Sequence, residues 1–174
     1  MFSRFNKKIK LITESIFEPA SKKDLAQRKL EAPKIIAQEW LEKFFERKDI
    51  HKNSDGSYDV DGHVRLSNMN LDKLPLKFNN VGGSFSCYYN KLTSLEGAPR
   101  SVGRNFVCNA NDLTTLKDAP ISIDGSFIAS SNLLTTLEGA PTSVGGNFWC
   151  NYNEKRFTVE EVRAVSNVKG EIVV

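Results

Sequence analysis

The side chains best suited to chemistry in this 174-residue sequence are three cysteines and two histidines. A thiolate can bind a metal or attack an electrophile, and a neighbouring imidazole can accept its proton. Cys87, Cys108 and Cys150 are separated by 21 and 42 residues, and these separations match no zinc-ligand spacing. His63 has no Cys or Ser nucleophile placed beside it. The sequence therefore predicts no metal site, no cofactor and no enzymatic activity.

Three acidic residues in one short segment, Asp55, Asp59 and Asp61, suggest a calcium-binding loop. An EF-hand loop requires a Gly at its sixth position and a Glu at its twelfth, and this segment offers neither in register. Asn53–Gly56 is instead interpreted as a turn between two segments that can pair as a hairpin.

The cysteines belong to a repeat of 21 residues that runs from Val64 to Trp149 without an insertion. Such a fixed period is typical of a solenoid, in which each unit buries its apolar face only against its neighbours. In that interior a Cys behaves as a small hydrophobe, and Ala129 takes its place in one unit. The main columns are Val64, Phe85, Phe106, Phe127 and Phe148; Leu66, Cys87, Cys108, Ala129 and Cys150; Asn90, Asn111, Asn132 and Asn153; and Val81, Val102, Ile123 and Val144.

Each unit predicts one strand and one return segment. Phe85-Ser86-Cys87 alternates between apolar and polar, which is the period of a half-buried strand. Asn90 follows at a turn, where its amide can hydrogen-bond the backbone of neighbouring turns. Gly97-Ala98-Pro99 leaves little room for a helix, so the return is expected to be extended or turn-like. The predicted fold is a β-rich α/β solenoid with a parallel sheet on its concave face.

The array is predicted at residues 51–153, between an N-terminal amphipathic segment and helical cap at 1–50 and a C-terminal cap at 154–174. The C-terminal cap is expected to be a helix, started by a capping box at Thr158 and Glu161, followed by a last strand at Val168–Val174. The N-terminal segment places apolar residues at helical spacing. They are Phe2, Phe5, Ile9, Ile12 and Ile16, followed by Ile36, Trp40 and Phe44.

The basic charge of the chain lies in its N-terminal part. Residues 1–56 hold 13 Lys+Arg against 9 Asp+Glu, whereas residues 57–174 hold 11 against 12. A neutral array argues against nucleic acid as a partner, because such binding needs many phosphate contacts. No run of about 18 apolar residues is present, so a membrane contact is expected only weakly, through the N-terminal helix.

Side chains that point outward from the predicted strands and the turns after them carry almost no charge. Their mixture of Tyr, Trp, Asn and Ser suits a protein-binding surface. Two alternatives stay open: a terminal segment covers this face, or β-propensity alone selects its Val and Ile residues. The candidate partner-binding residues are Tyr88, Tyr89, Val107, Asn109, Ile128, Ser130, Trp149, Asn151 and Tyr152.

The pattern Phe-x-Cys-x-x-Asn-x-Leu-x-x-Leu at residues 85–95 resembles the conserved segment of leucine-rich repeats. The units Leu92–Pro99 and Val144–Cys150 are similar to those of short leucine-rich-repeat proteins found in tailed bacteriophages and some bacteria. The resemblance covers roughly residues 55–174. It implies a right-handed leucine-rich-repeat array and a location in the cytoplasm of a bacterial host.

The neutral face and this resemblance together predict a non-enzymatic interaction module that binds a host or phage protein through the concave face. The alternative is a virion-associated or internal phage protein, packaged by its N-terminal segment. Ile12-Thr13-Glu14 is similar to sites cut by the prohead protease of large tailed phages, which implies trimming after Glu14.

Overall fold

The computed structural model of the chain describes residues 49–174. The predicted amphipathic helix, the helical cap and the Glu14 cleavage site lie outside the described residues. Within the described part of the chain, no helix is long and apolar enough to cross a membrane.

The described chain is a β-solenoid of about six turns, built from two parallel sheets and one C-terminal helix, α1 (Val159–Val165). The six-stranded sheet, which we call the Phe sheet, consists of β3 (Val64–Arg65), β5 (Phe85–Ser86), β7 (Phe106–Val107), β9 (Phe127–Ile128), β11 (Phe148–Trp149) and β13 (Ile172–Val173). The seven-stranded sheet, which we call the Val sheet, consists of β1 (Ile50–Lys52), β2 (Tyr58–Val60), β4 (Phe78–Val81), β6 (Ser101–Val102), β8 (Ser122–Ile123), β10 (Ser143–Val144) and β12 (Asn167–Val168).

The interior of the solenoid is formed by the apolar columns of the repeat. Phe85 pairs with Phe106, and Phe106 with Phe127, in parallel register. These side chains are fully buried, and the rings of Phe85 and Phe106 stack with centroids 5.3 Å apart. Stacked rings bury a large apolar area in every turn, which stabilises one register over its neighbours. The predicted solenoid and its parallel strands are confirmed.

The return side of the solenoid differs from the prediction of one parallel sheet with an extended or turn-like back. The column that closes each unit forms a second parallel sheet, in which Val102 pairs with Ile123 and Val144 pairs with Ile123 from the other side. β-branched residues favour extended backbone, and a strand stacked on the same strand of the next turn satisfies its backbone groups. The return is therefore a strand ladder instead of a series of isolated turns.

The stacked Asn column works as predicted. Asn111 donates from Nδ2 to the carbonyl oxygens of Cys87 and Cys108, both at 3.1 Å, and accepts from the backbone N–H of Leu92 at 3.0 Å. Asn111 and Asn132 are buried, so these amides pair backbone groups that water cannot reach.

The N-terminal end of the described chain is a hairpin. β1 pairs antiparallel with β2, as predicted, and β2 then pairs in parallel with β4. Asp55 stabilises the intervening turn, because its carboxylate accepts from the Ser57 hydroxyl at 2.6 Å and from Lys77 Nζ at 2.9 Å.

The C-terminal end contains the predicted helix but not the predicted single strand. Thr158 and Glu161 form the capping box of α1, and Val162 is its one buried residue. The segment Val168–Val174 was expected to be one strand; instead β12 ends at Val168 and β13 occupies Ile172–Val173, in different sheets. The chain turns between them at exposed Gly170. Helix α1 thus replaces the return segment of the last turn.

Candidate binding face of the Phe sheet

The structure brings the predicted partner-binding residues together on the outward face of the Phe sheet. Ser86 pairs with Val107, Val107 with Ile128, and Ile128 with Trp149, so these side chains form one row across neighbouring strands. Adjacent strands lie about 4.8 Å apart, so the row is continuous. Two further rows follow in the turns after the strands. They are Tyr88, Asn109, Ser130 and Asn151, and Tyr89, Ala110, Ser131 and Tyr152.

The largest side chains of this face are open to solvent. Tyr152 is 81% exposed, Tyr89 is 60% exposed and Trp149 is 38% exposed. The remaining predicted positions, such as Val107 and Ile128, are half-buried. The face therefore offers aromatic surface at both ends and aliphatic surface between them.

Charge is nearly absent from this face. Among the outward positions of the described Phe-sheet strands, Arg65 on β3 is the one ionisable residue. The outward residues of β5 to β11 are Ser, Val, Ile and Trp. A partner can cover these four strands without desolvating a charged side chain from them, and that desolvation is the costly part of burying polar surface.

The outermost row lies in the left-handed backbone region, which the sequence analysis missed. Asn68, Tyr89 and Tyr152 have φ values of 58°, 52° and 56°, and Ala110 and Ser131 both have 54°. Asn tolerates this conformation, but Tyr, Ala and Ser each adopt it at a cost of roughly 1–2 kcal/mol. The one sequence signal was Asn68 at the head of the row.

The backbone ladder holds these strained residues in place. The N–H of Tyr89 donates to the carbonyl oxygen of Asn109 at 3.2 Å, and the N–H of Ala110 donates to that of Ser130 at 3.1 Å. Strain of this kind persists where the surrounding structure determines the conformation. The orientation of the two exposed tyrosines is therefore imposed by the stacked turns.

Two side-chain contacts order the polar part of the face. The Ser130 hydroxyl donates to Asn151 Oδ1 at 2.5 Å. The rings of Tyr88 and Tyr89 meet edge to face with centroids 5.6 Å apart. Ordered side chains lose little rotamer entropy when a partner covers them, which favours association.

The cysteines are buried in the interior, with no role on this face. Burial raises the pKa of the Cys87 and Cys150 thiols to about 12, and it raises the pKa of Cys108 well above its usual value. Such thiols stay protonated and unreactive near neutral pH. Within residues 49–174, no group of three potential metal ligands comes together.

The histidine at the strand entry belongs to a second polar ladder, also missed from the sequence. His63 Nδ1 accepts a hydrogen bond from the backbone N–H of Ser84 at 2.9 Å, and Asn105 Oδ1 accepts from that of Ser126 at 2.8 Å. His63 thus uses one ring nitrogen as a structural acceptor. The signal was a polar column at the repeat spacing. Its members are His63, Ser84, Asn105, Ser126 and Asn147.

Comparison of the chain with protein-family models, curated proteins and solved structures found no match. The outward face of the Phe sheet is accordingly described from its own geometry and chemistry.

Proposed function

We propose that this protein is a non-enzymatic interaction module of the leucine-rich-repeat type, which binds another protein through the concave, outward face of the Phe sheet. The partner is a host or phage protein in the cytoplasm of a bacterial host, in line with the resemblance of residues 55–174 to short phage repeat proteins. The observation that carries the proposal is the pair of exposed tyrosines, Tyr89 and Tyr152, held in left-handed backbone.

These tyrosines are difficult to explain by folding alone. Tyr152 is 81% exposed, so its ring contributes little buried apolar area. Its left-handed backbone disfavours a residue with a bulky side chain. Gly or Asn would occupy the same position with less strain. Tyr and Trp are, however, the residue types in which binding energy concentrates at protein interfaces.

The neutrality of the face supports a protein partner with a largely uncharged surface. Interface centres are depleted in charged residues and enriched in aromatic ones, which matches the rows from β5 to β11. Nucleic acid is a poorer fit, because the outward strands supply one cationic side chain, Arg65, where phosphate contacts would require several.

Tyr152→Ala is the sharpest test of this proposal. The substitution should change the free energy of unfolding by less than about 0.5 kcal/mol, because the side chain is exposed. It should weaken partner binding by roughly 2 kcal/mol, or about thirtyfold. Trp149→Ala should weaken binding as much, with a measurable stability loss because most of its side chain is covered.

Ile121→Ala is the matched control, since Ile121 is an exposed apolar residue (47%) that precedes β8 in the Val sheet. The full chain would be used to capture partners from the native host, and each captured protein would be titrated against the variants by calorimetry. A partner that binds the Tyr152 and Trp149 variants as tightly as wild type would refute the proposed face. Loss of binding by Ile121→Ala alone would point to the opposite sheet.

The alternative function, an internal protein of the virion, rests on Ile12-Thr13-Glu14. Mass spectrometry of purified particles separates the two functions. A packaged chain that begins at Ser15 would favour the virion protein, and particles free of the chain would exclude it.

A further inference from the structure

The C-terminal end of the solenoid leaves two apolar columns incompletely covered. Val168 continues the column in which Val144 is 0% exposed, and Ile172 continues the column in which Phe148 is 0% exposed. Val168 and Ile172 are both only half-buried. Helix α1 stands in the return segment of the last turn, so it does not remove this exposure. A solenoid normally requires a cap at such an end.

The backbone at the same end has unpaired groups. The N–H groups of Asn167 and Lys169 both donate toward β10, to Thr142 and Val144. In a parallel ladder alternate residues bond the same neighbour, so the N–H and C=O of Val168 point away from β10. On β13 the carbonyl oxygens of Glu171 and Val173 accept from β11, and Ile172 is outward by the same alternation. Among the described strands, β12 and β13 are the last of their sheets.

The two ends of the described solenoid have different shapes. At the N-terminal end, β1 extends the Val sheet beyond β2, while β3 ends the Phe sheet one turn earlier. This end is stepped by one strand, or about 4.8 Å. At the C-terminal end both sheets stop in the same turn, at β12 and β13. A flush end fits a second flush end better than a stepped one.

The corner between β12 and β13 carries opposite charges on its two sides. Lys169 precedes Gly170 and Glu171 follows it, and all three residues are exposed. A two-fold axis through Gly170 that bisects the two strands would place Lys169 of one copy opposite Glu171 of the partner subunit. The same axis lays β12 of each copy antiparallel to β13 of the other, because the strands enter and leave one corner. The end is thus complementary to itself in charge and in strand direction.

We propose that two copies of this chain associate through their C-terminal ends, about this two-fold axis, and that each copy caps the open columns of the other. The isologous contact closes after two copies, as two-fold interfaces do. It would pair the outward backbone groups of Val168 and Ile172 and bury their half-exposed side chains. The contact is confined to the last turn, so the dimer is expected to be weak, with a dissociation constant of roughly 1–100 µM.

The proposal is independent of the partner-binding face, because it concerns the end of the array and uses none of the aromatic residues on the outward face of the Phe sheet. Failure of partner binding therefore leaves it intact, and failure of dimerisation leaves the proposed binding face intact.

Sedimentation equilibrium of the full 174-residue chain tests the dimer, since monomer and dimer differ twofold from the chain mass of 19.5 kDa. Wild type should show a reversible monomer–dimer equilibrium. Lys169→Glu and Glu171→Lys should each raise the dissociation constant at least about tenfold, because each replaces two attractive pairs by two repulsive ones. The double reversal K169E/E171K should restore dimerisation.

Lys117→Glu is the matched control, because it changes the same type of exposed side chain in the middle of the array. It should leave the dissociation constant unchanged, and circular dichroism should show wild-type melting for every variant. A wild-type chain that remains monomeric at several hundred micromolar would overturn the proposal. So would a dimer that tolerates both single reversals, or one that the double reversal fails to restore.

Discussion

Substitution of one interior Asn should show how much the stacked amides stabilise the solenoid. Asn132 is 5% exposed and lies in the middle of its column. Its Nδ2 donates to the carbonyl oxygens of Cys108 at 3.1 Å and Ala129 at 3.2 Å, and its Oδ1 accepts from the backbone N–H of Leu113 at 3.2 Å. Asn132→Ala removes all of these bonds.

The groups left behind are not equivalent. Cys108 also accepts from Asn111, and Ala129 also accepts from Asn153, so both carbonyls keep one partner. The N–H of Leu113 has no such second side-chain acceptor among the hydrogen bonds of the described residues. A buried, unpaired N–H costs about 1–3 kcal/mol, and each lost bond to a carbonyl adds up to about 1 kcal/mol. Asn132→Ala should therefore lower the free energy of unfolding by about 2–4 kcal/mol.

Asn109→Ala is the matched control for this experiment, because the same residue type lies in the preceding turn but on the outward face, half-buried. Its expected cost is below about 0.5 kcal/mol. Urea denaturation followed by far-ultraviolet circular dichroism measures both. The reasoning is refuted if Asn132→Ala loses less than about 1 kcal/mol, or if Asn109→Ala loses as much.

Three further predictions follow from burial, backbone contacts and pKa values. All three thiols should resist a disulfide-exchange reagent at pH 8 in the folded protein and react fully in denaturant, because burial raises their pKa values. Gly103→Ala should be clearly destabilising in thermal melts, because a Cβ there would overlap the carbonyl oxygen of Gly82, whereas Gly62→Ala meets no atom within 4 Å and should be tolerated. Hydrogen bonds from Ser57 lower the pKa of the Asp55 carboxyl, so its stabilising effect is present above about pH 4 and is lost as pH falls through the folded-state pKa. The difference in melting temperature between wild type and Asp55→Asn should accordingly narrow below about pH 4.

The strands of the Phe sheet were predictable because each carries a large interior residue beside an outward one. The Phe column has one buried face, and a shift by one residue would expose every ring, so the pattern specifies the register. The strands of the Val sheet gave no comparable signal. Ser101–Val102 and Ser143–Val144 are two residues long, too short for an alternating pattern, and their partners lie in the neighbouring turns. Such strands form because stacking pairs their backbone, which no local pattern reports.

The composition of the candidate face was also predictable, but its backbone conformation was not. A left-handed turn is signalled by Gly or Asn, and among the five residues of the outermost row only Asn68 gives that signal. At Ala110 and Ser131 the stacked hydrogen bonds override the local preference. The same holds at the C-terminal end, where a three-residue corner around Gly170 splits the expected strand between two sheets.

The contrast between inward and outward columns is the strongest reason to regard the aromatic face as functional. Inward, Phe recurs from β5 to β11 because the packed interior permits little else. Outward, the residue changes from Ser86 to Val107 to Ile128 to Trp149 without any change in strand pairing. The fold therefore leaves these outward positions free to vary. β-propensity accounts for Val and Ile in that row, but it cannot account for tyrosines in left-handed backbone, where propensity and strain both disfavour them. Binding to a partner accounts for both.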